Sequence, residues 1–329
     1  MNGKTERPAS GDPQFPLVVA LAGGVGGARL ADGLAQILPA ENLTVIVNTG
    51  DDFEHLGLYI CPDLDTVCYT LAGISNPATG WGRSGETWQA LESLGALGGP
   101  TWFRLGDRDL GLNLERTRRL HVGIPLSRIT RHFCQALGVK ARILPMSDDP
   151  VSTWVLTDEG NLPFQEYFVH RQCQPRVSGF QFAGIERARP ASGVLEAIQQ
   201  SDLIVFCPSN PWVSIDPILS VPGIHQAISR RNEQVSLAVS PIIGGQAVKG
   251  PAAKMFTELG LQPGAREVAR HYGRLLDGFV LDQADAEEEP DIQALGLQTL
   301  LTDIIMRTNQ DRVRLAKEVI AFGFANQKG

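Results

Sequence analysis

The sequence predicts an α/β fold, a doubly wound and mainly parallel sheet with a helical insertion. Three observations predict it. An apolar run over residues 17–22 leads straight into a glycine cluster, Gly23-Gly24-Val25-Gly26-Gly27. Ala28, Leu30, Ala31, Leu34, Ile37 and Leu38 then recur at helical spacing, before a second β-branched run, Leu43-Thr44-Val45-Ile46-Val47. The same alternation of apolar runs and helical segments returns in the C-terminal half, and a repeated strand–helix alternation builds a parallel, Rossmann-like sheet.

Residues 1–15 are polar and rich in Pro, Gly and Ser, and read as a disordered tail. Residues 16–74 and 139–329 are expected to form the nucleotide-binding core. After Asn48 the pattern weakens: residues 51–62 read as a loop and 64–72 as a helix. Residues 75–138 hold helical segments, at 87–97 and 126–136, and no convincing strand, so they are expected to be the insertion. The sheet is expected to resume at residues 140–145. A hairpin of 153–157 and 164–169 follows, turning through Asp158, Glu159, Gly160 and Asn161. Further strands are expected at 203–206, 235–239, 278–281 and 299–305, with a closing helix at 311–322.

Composition narrows the function. The net charge of −7 argues against a duplex-binding surface, so no nucleic-acid partner is expected. No apolar stretch reaches the roughly 18 residues of a membrane span, and residues 1–15 have no signal-peptide core. Five scattered cysteines without a CxxC pair read as reduced thiols, and a cytoplasmic protein is expected. The six histidines show no metal-ligand spacing, and no G-x-S-x-G elbow occurs.

The chemistry-bearing residues fall into four groups. Gly23, Gly24, Gly26 and Gly27 between strand and helix allow backbone amides to approach a phosphate, with Arg29 one turn on as a cationic partner. A simple tight turn explains the same glycines without a ligand. Arg29 stands where a dinucleotide fingerprint needs glycine, which counts against an NAD-dependent dehydrogenase, and a P-loop ending is lacking. Asp51 and Asp52 follow the second strand, and Asp63 and Asp65 open the next helix. Carboxylates facing a phosphate need a hard cation between them, which makes Asp52, Asp63 and Asp65 candidate Mg2+ ligands. Helix capping is the plainer role for Asp63 or Asp65. Two later strand-end loops offer Asn210, Pro211 and Ser214, then Gly244, Gly245 and Lys249, as further donor-phosphate contacts. Lastly, Trp102-Phe103-Arg104 suits a planar, heteroaromatic or anionic ligand.

Together these stretches resemble the 2-phospho-L-lactate transferase family of coenzyme F420 biosynthesis. The likeness is carried by Gly23-Gly24-Val25-Gly26-Gly27-Ala28-Arg29, Asn48-Thr49-Gly50-Asp51-Asp52, Cys61-Pro62-Asp63-Leu64-Asp65-Thr66-Val67 and Leu105-Gly106-Asp107-Arg108-Asp109, and by the downstream loops. The resemblance implies a Mg2+-dependent transfer. The ribityl hydroxyl of the deazaflavin Fo attacks the phosphate next to the lactyl, enolpyruvyl or glyceryl group of a guanosine-diphosphate-linked donor, and GMP leaves. It also implies that Asp65 and Arg104 contact Fo, where some members carry Lys in place of Arg104, and it favours a homodimer. Asp65 is the first candidate for a general base. The alternative is a nucleotide-sugar-binding regulator of a related family, which shares the glycine loop but has no need of the Asp63/Asp65 pair or Arg104.

Overall fold

The computed structural model describes residues 12, 14–230, 234–247 and 250–325. Along the chain run β1 (Val18–Ala22), α1 (Gly24–Ile37), β2 (Leu43–Val47), a hairpin of β3 (Phe53–His55) and β4 (Leu58–Ile60), and α2 (Pro62–Leu71). Three helices follow, α3 (Gln89–Ala96), α4 (Asp107–His121) and α5 (Leu126–Ala136), and lead to β5 (Arg142–Pro145). Next come β6 (Ser152–Thr157), β7 (Gly160–Pro163), β8 (Val177–Ala183), α6 (Val194–Gln200), β9 (Leu203–Phe206), α7 (Asp216–Ser220), α8 (Ile224–Ser229) and β10 (Val235–Val239). The chain closes with β11 (Ile242–Ile243), β12 (Gln246–Ala247), α9 (Ala252–Glu258), α10 (Ala265–Tyr272), β13 (Gly278–Asp282), α11 (Glu289–Gln293), β14 (Gln298–Thr302) and α12 (Asn309–Ala325).

Seven strands form one sheet in the order β14-β13-β10-β9-β1-β2-β5, every neighbouring pair parallel. Alternate residues feed two cores, as a strand's period of two requires. Val19, Leu21, Ile46, Ile204 and Phe206 join the apolar cluster on one face; Val18, Ala20, Val45, Leu203 and Val205 join the other. A parallel sheet buried on both faces needs such unbroken apolar strands. Helix α1 packs between α2 and α12 on the second face. The α/β, Rossmann-like expectation therefore holds. Sequential strands run outward from β1 in one direction and, from β9, in the other. The crevice between β1 and β9 is thus the topological switch point, where sheets of this type bind ligands.

Several local expectations need correction. Residues 51–62 are not all loop, for β3 and β4 pair across a two-residue turn with Leu56 and Gly57 both at positive φ. The second strand of the later hairpin is β7, at Gly160–Pro163, and residues 166–170 coil into a helical turn instead. Strand β8 completes this three-stranded sheet, and the sequence reading has no strand there. The last strand ends at Thr302 rather than 305. Of the expected tail, Asp12, Gln14 and Phe15 are described, and the Asn42 amide binds the carbonyls of Asp12 and Phe15, each at 3.0 Å. Residues 1–11 and 13 lie outside the described residues, as does Lys249.

Candidate active site

A cavity of about 650 Å3 opens over the switch point. Its inner end is the turn after β1. Gly23 exchanges two hydrogen bonds with Ser209 from the loop after β9: its N–H donates to Ser209 Oγ at 3.2 Å, and that hydroxyl donates to its carbonyl at 2.8 Å. Gly24 adopts φ +62°, and a notional Cβ there would make only ordinary contact, 3.9 Å from Asp63 Oδ1, so its demand is conformational. Gly26 and Gly27 serve a different need. A Cβ on Gly26 would run into the Pro208 carbonyl oxygen, and one on Gly27 would lie 2.6 Å from Ser209 Oγ. These two glycines let α1 approach the β9 loop closely; of the cluster, Gly23, Gly24 and Gly26 line the cavity and Gly27 does not.

The floor is acidic. Asn48, at the end of β2, is its hub. The Asn48 amide nitrogen donates to Asp63 Oδ2 at 3.0 Å, Asp51 Oδ1 at 3.2 Å and the Val213 carbonyl at 3.1 Å. Gly24 N–H donates to Asp63 Oδ1 at 2.6 Å, which ties the glycine turn to the start of α2. Gln165 donates to Asp51 Oδ2 at 3.3 Å. Burial pushes Asp63 up to about 6, against the Asn48 and Gly24 hydrogen bonds. Burial also raises Asp51 well above the ordinary carboxylate range, with the charges of Asp63 and Asp52 adding to it.

Asp65 has a partner that the sequence reading missed. Arg116, on α4 and 2 % exposed, donates to both Asp65 oxygens, to Asn113 Oδ1 at 2.6 Å and to the Tyr59 carbonyl at 3.4 Å. Burial raises the Asp65 pKa, and the Arg116 charge opposes the rise. Asp65 is therefore no helix cap; it ties α4 to α2. The inner face of α4 is polar, with Asn113, Arg116 and Thr117 buried while Leu114 is 53 % exposed. That inversion of the usual helix pattern was the available signal.

The carboxylates do not all meet as expected. Asp52 lies on a smaller neighbouring cavity, and its two buried oxygens have no hydrogen-bond partner among the described residues. Among the described residues no three His, Cys, Asp or Glu side chains converge as a metal-binding group. Asp52, Asp63 and Asp65 are near enough for their charges to act on one another, but they do not converge as one such group. Asp51 and Asp63 are brought together, bridged by one Asn48 amide on the cavity floor. Two carboxylates with neighbouring substrate oxygens suit Mg2+, which seldom takes an all-protein cage.

The outer wall is aromatic. Trp81, Trp102, Phe103 and Phe168 line it with Arg104, whose guanidinium lies 4.3 Å from the centroid of the Trp88 ring. Trp102 and Phe103 pack edge-on to each other, and Trp102 stacks on His170 at 5.2 Å. Arg29 lines the inner end, half-buried, and donates to the Met306 carbonyl at 3.0 Å. Asn210 and Ser214 also line the cavity; the Asn210 side chain accepts from Trp212 N–H at 3.1 Å and so shapes the β9 loop. Pro211 is buried behind that loop. Gly244 and Gly245 are elsewhere. Both have positive φ and form the two-residue turn between β11 and β12, so turn geometry explains them. Ser240, Pro241, Gly250 and Pro251 line the cavity from that side instead.

A glycine turn at the switch point, a two-carboxylate floor and an aromatic wall around one cavity are the features of an α/β enzyme rather than an interaction module. Comparison with known proteins agrees and is more specific. Residues 18–317 match the 2-phospho-L-lactate transferase CofD family. A phosphoenolpyruvate transferase of Streptomyces griseus is 44 % identical over 309 residues, covering 92 % of this chain and 97 % of the relative. A 2-phospho-L-lactate transferase of Methanosarcina acetivorans is 38 % identical, over 92 % of this chain and 98 % of its own. The crystal structure of a UPF0052-family protein from Bacillus halodurans shares the fold, with TM-score 0.59, 18 % identity and 92 % and 98 % coverage. The chain belongs to the 2-phospho-L-lactate transferase family. It is a transferase of phospholactyl-type groups in coenzyme F420 biosynthesis, which sets aside the regulator reading. Among the described residues, no helix is long and apolar enough to cross a membrane.

Proposed function

We propose that this chain joins the deazaflavin Fo to a three-carbon acid through a phosphodiester, using a guanosine-diphosphate-linked donor and releasing GMP. One observation carries the reading: the glycine turn, the Asp51/Asp63 floor and the Arg104 wall line a single continuous cavity. Reactions of this kind need positioning and charge neutralisation more than covalent help. The Gly23 to Gly26 turn and Arg29 receive the donor's phosphates at the inner end. Asp51 and Asp63 hold Mg2+, which when bound neutralises charge on the diphosphate and on the leaving phosphate. Trp102, Phe103 and Arg104 take the planar acceptor ring at the outer end.

Among donors, the enolpyruvyl form comes first, because the relative at 44 % identity is named a phosphoenolpyruvate transferase and the one named for phospholactate is at 38 %. The protein acts as a soluble homodimer in this proposal. Incubation with Fo, Mg2+ and each donor in turn, followed by mass spectrometry for GMP and the F420 precursor, tests it. The enolpyruvyl donor should give both products fastest. No product from any donor would refute the reading.

A further inference from the structure

The run Asp107-Arg108-Asp109 divides its two carboxylates between two tasks. Asp107 accepts from the Thr87 hydroxyl and from the N–H groups of Gln89 at 3.2 Å and Ala90 at 3.0 Å, which fastens the preceding loop to α4. Asp109 lines the cavity. Glu86 accepts from the N–H of Asp109 at 3.0 Å, so the start of α4 is capped from outside and the Asp109 side chain is spared that work. Asp109 Oδ1 accepts from the Tyr69 hydroxyl at 2.6 Å, and Tyr69 itself is 1 % exposed. Oδ2 takes no hydrogen bond among the described residues and is not sealed from the cavity.

Position singles this carboxylate out. Tyr69 lies one helical turn after Asp65 on α2, and its partner Asp109 lines the same cavity as Asp51, Asp63, Trp102, Phe103 and Arg104. An acceptor ring held on that wall would share the cavity with Asp109 and with the glycine turn. Asp65 is less suited to accept a proton, because Arg116 occupies both its oxygens.

We propose that Asp109 is the general base of the transfer and that Tyr69 is the positioning residue that fixes its free oxygen toward the acceptor. The assignment rests on the transfer proposed above. The acceptor hydroxyl gives its proton to Asp109 Oδ2, and the electron pair of that O–H bond stays on oxygen. The oxygen forms the new bond to the phosphorus next to the acid, the bond from that phosphorus to the bridging oxygen breaks, and GMP leaves with the electron pair. Burial, then the Asp65 charge and more weakly Glu86, pushes Asp109 up to about 6, against Tyr69 and Arg116. A base with a pKa near the working pH is the efficient kind.

The test uses the full-length enzyme, with wild-type turnover of Fo established first; wild type without turnover would refute the transfer itself, not this assignment. Asp109→Asn should lower kcat at least 100-fold with KM for Fo changed by less than about threefold, as loss of a general base does. Asp109→Ala should fall as far and regain part of its kcat in added formate. If Asp109 variants fail to bind GMP and are misfolded, Tyr69→Phe decides, with an expected roughly tenfold loss in kcat at unchanged KM. Near-wild-type kcat in Asp109→Asn, no formate rescue in folded Asp109→Ala, or unchanged kcat in Tyr69→Phe would each overturn the assignment.

Discussion

Replacing Arg116 with methionine should destabilise the protein severely, and the structure sets the scale. Arg116 is buried to 2 % exposure and supplies both hydrogen bonds to Asp65, itself 7 % exposed. Methionine fills much of the volume beside Phe133 and donates nothing. Breaking a buried ion pair from one side strands the other charge and costs about 3–5 kcal/mol. Here the stranded carboxylate also faces Asp52 and Asp109. Without Arg116, the folded-state pKa of Asp65 rises further above its unfolded value. A raised acid binds more protons when folded, so the stability deficit should shrink as pH falls through that pKa and grow as pH rises. The double variant Asp65→Leu/Arg116→Met removes both charges and should recover most of the loss, since apolar replacement of a whole buried pair is often neutral. Urea denaturation followed by circular dichroism, at pH 5.5 and 8, measures all three proteins. A single variant within about 1 kcal/mol of wild type, or a double variant no better than the single, would refute the view that this pair ties α4 to α2.

Three further outcomes are expected. The acidic floor makes ligand-free stability rise on mild acidification. Burial holds Asp63 and Asp109 up to about 6 and raises Asp51 and Asp52 well above the ordinary carboxylate range, so the folded state binds more protons between about pH 6 and that range. His55, lowered by burial, opposes them singly. Tm should therefore increase from pH 8 to pH 5.5 and respond more to added Mg2+ at pH 8; a monotonic fall on acidification would contradict this. Gly26→Ala should destabilise more than Gly24→Ala, because backbone blocks the first while the second meets only the left-handed penalty of about 1–2 kcal/mol; thermal melts in the reverse order would contradict it. Arg104→Ala should weaken Fo binding by about 1–2 kcal/mol, roughly tenfold, and leave guanine-nucleotide binding unchanged in fluorescence titrations; equal loss of both would remove Arg104 from the acceptor wall.

The buried parallel strands were readable because each is an apolar run with no competing period, as in β1, β2, β9, β10 and β13. The hairpin of β3 and β4 was not, since three-residue strands give no periodicity and its turn places Leu56, a residue with no turn signature, at φ 55°. Phe164 to Val169 has strand-like composition, yet its aromatics serve the cavity rim from a helical turn: Phe164 and Phe168 stack at 5.4 Å and both line the cavity. Strand β8 carries Gly179 at its third position, which weakens the pattern.

The site was legible where a short segment acts through its own backbone, as at Gly23-Gly24. It was illegible where function depends on contacts distant in sequence. Arg116 meets Asp65 across 51 positions, and Gln165 meets Asp51 across 114. The glycines of the β11–β12 turn show the reverse case: a phosphate loop and a tight hairpin ask for the same residue type, and only the fold separates them.

The most direct measurement follows the oxygen that bridges the donor's two phosphorus atoms. With an oxygen-18 label at that bridge, Fo and Mg2+, attack of the acceptor hydroxyl on the phosphorus next to the acid sends the label out with GMP. The F420 precursor should then carry none. Label retained on the three-carbon side, or a product joining Fo to guanosine through phosphate, would show cleavage at the other phosphorus and contradict the placement of donor and acceptor in this cavity.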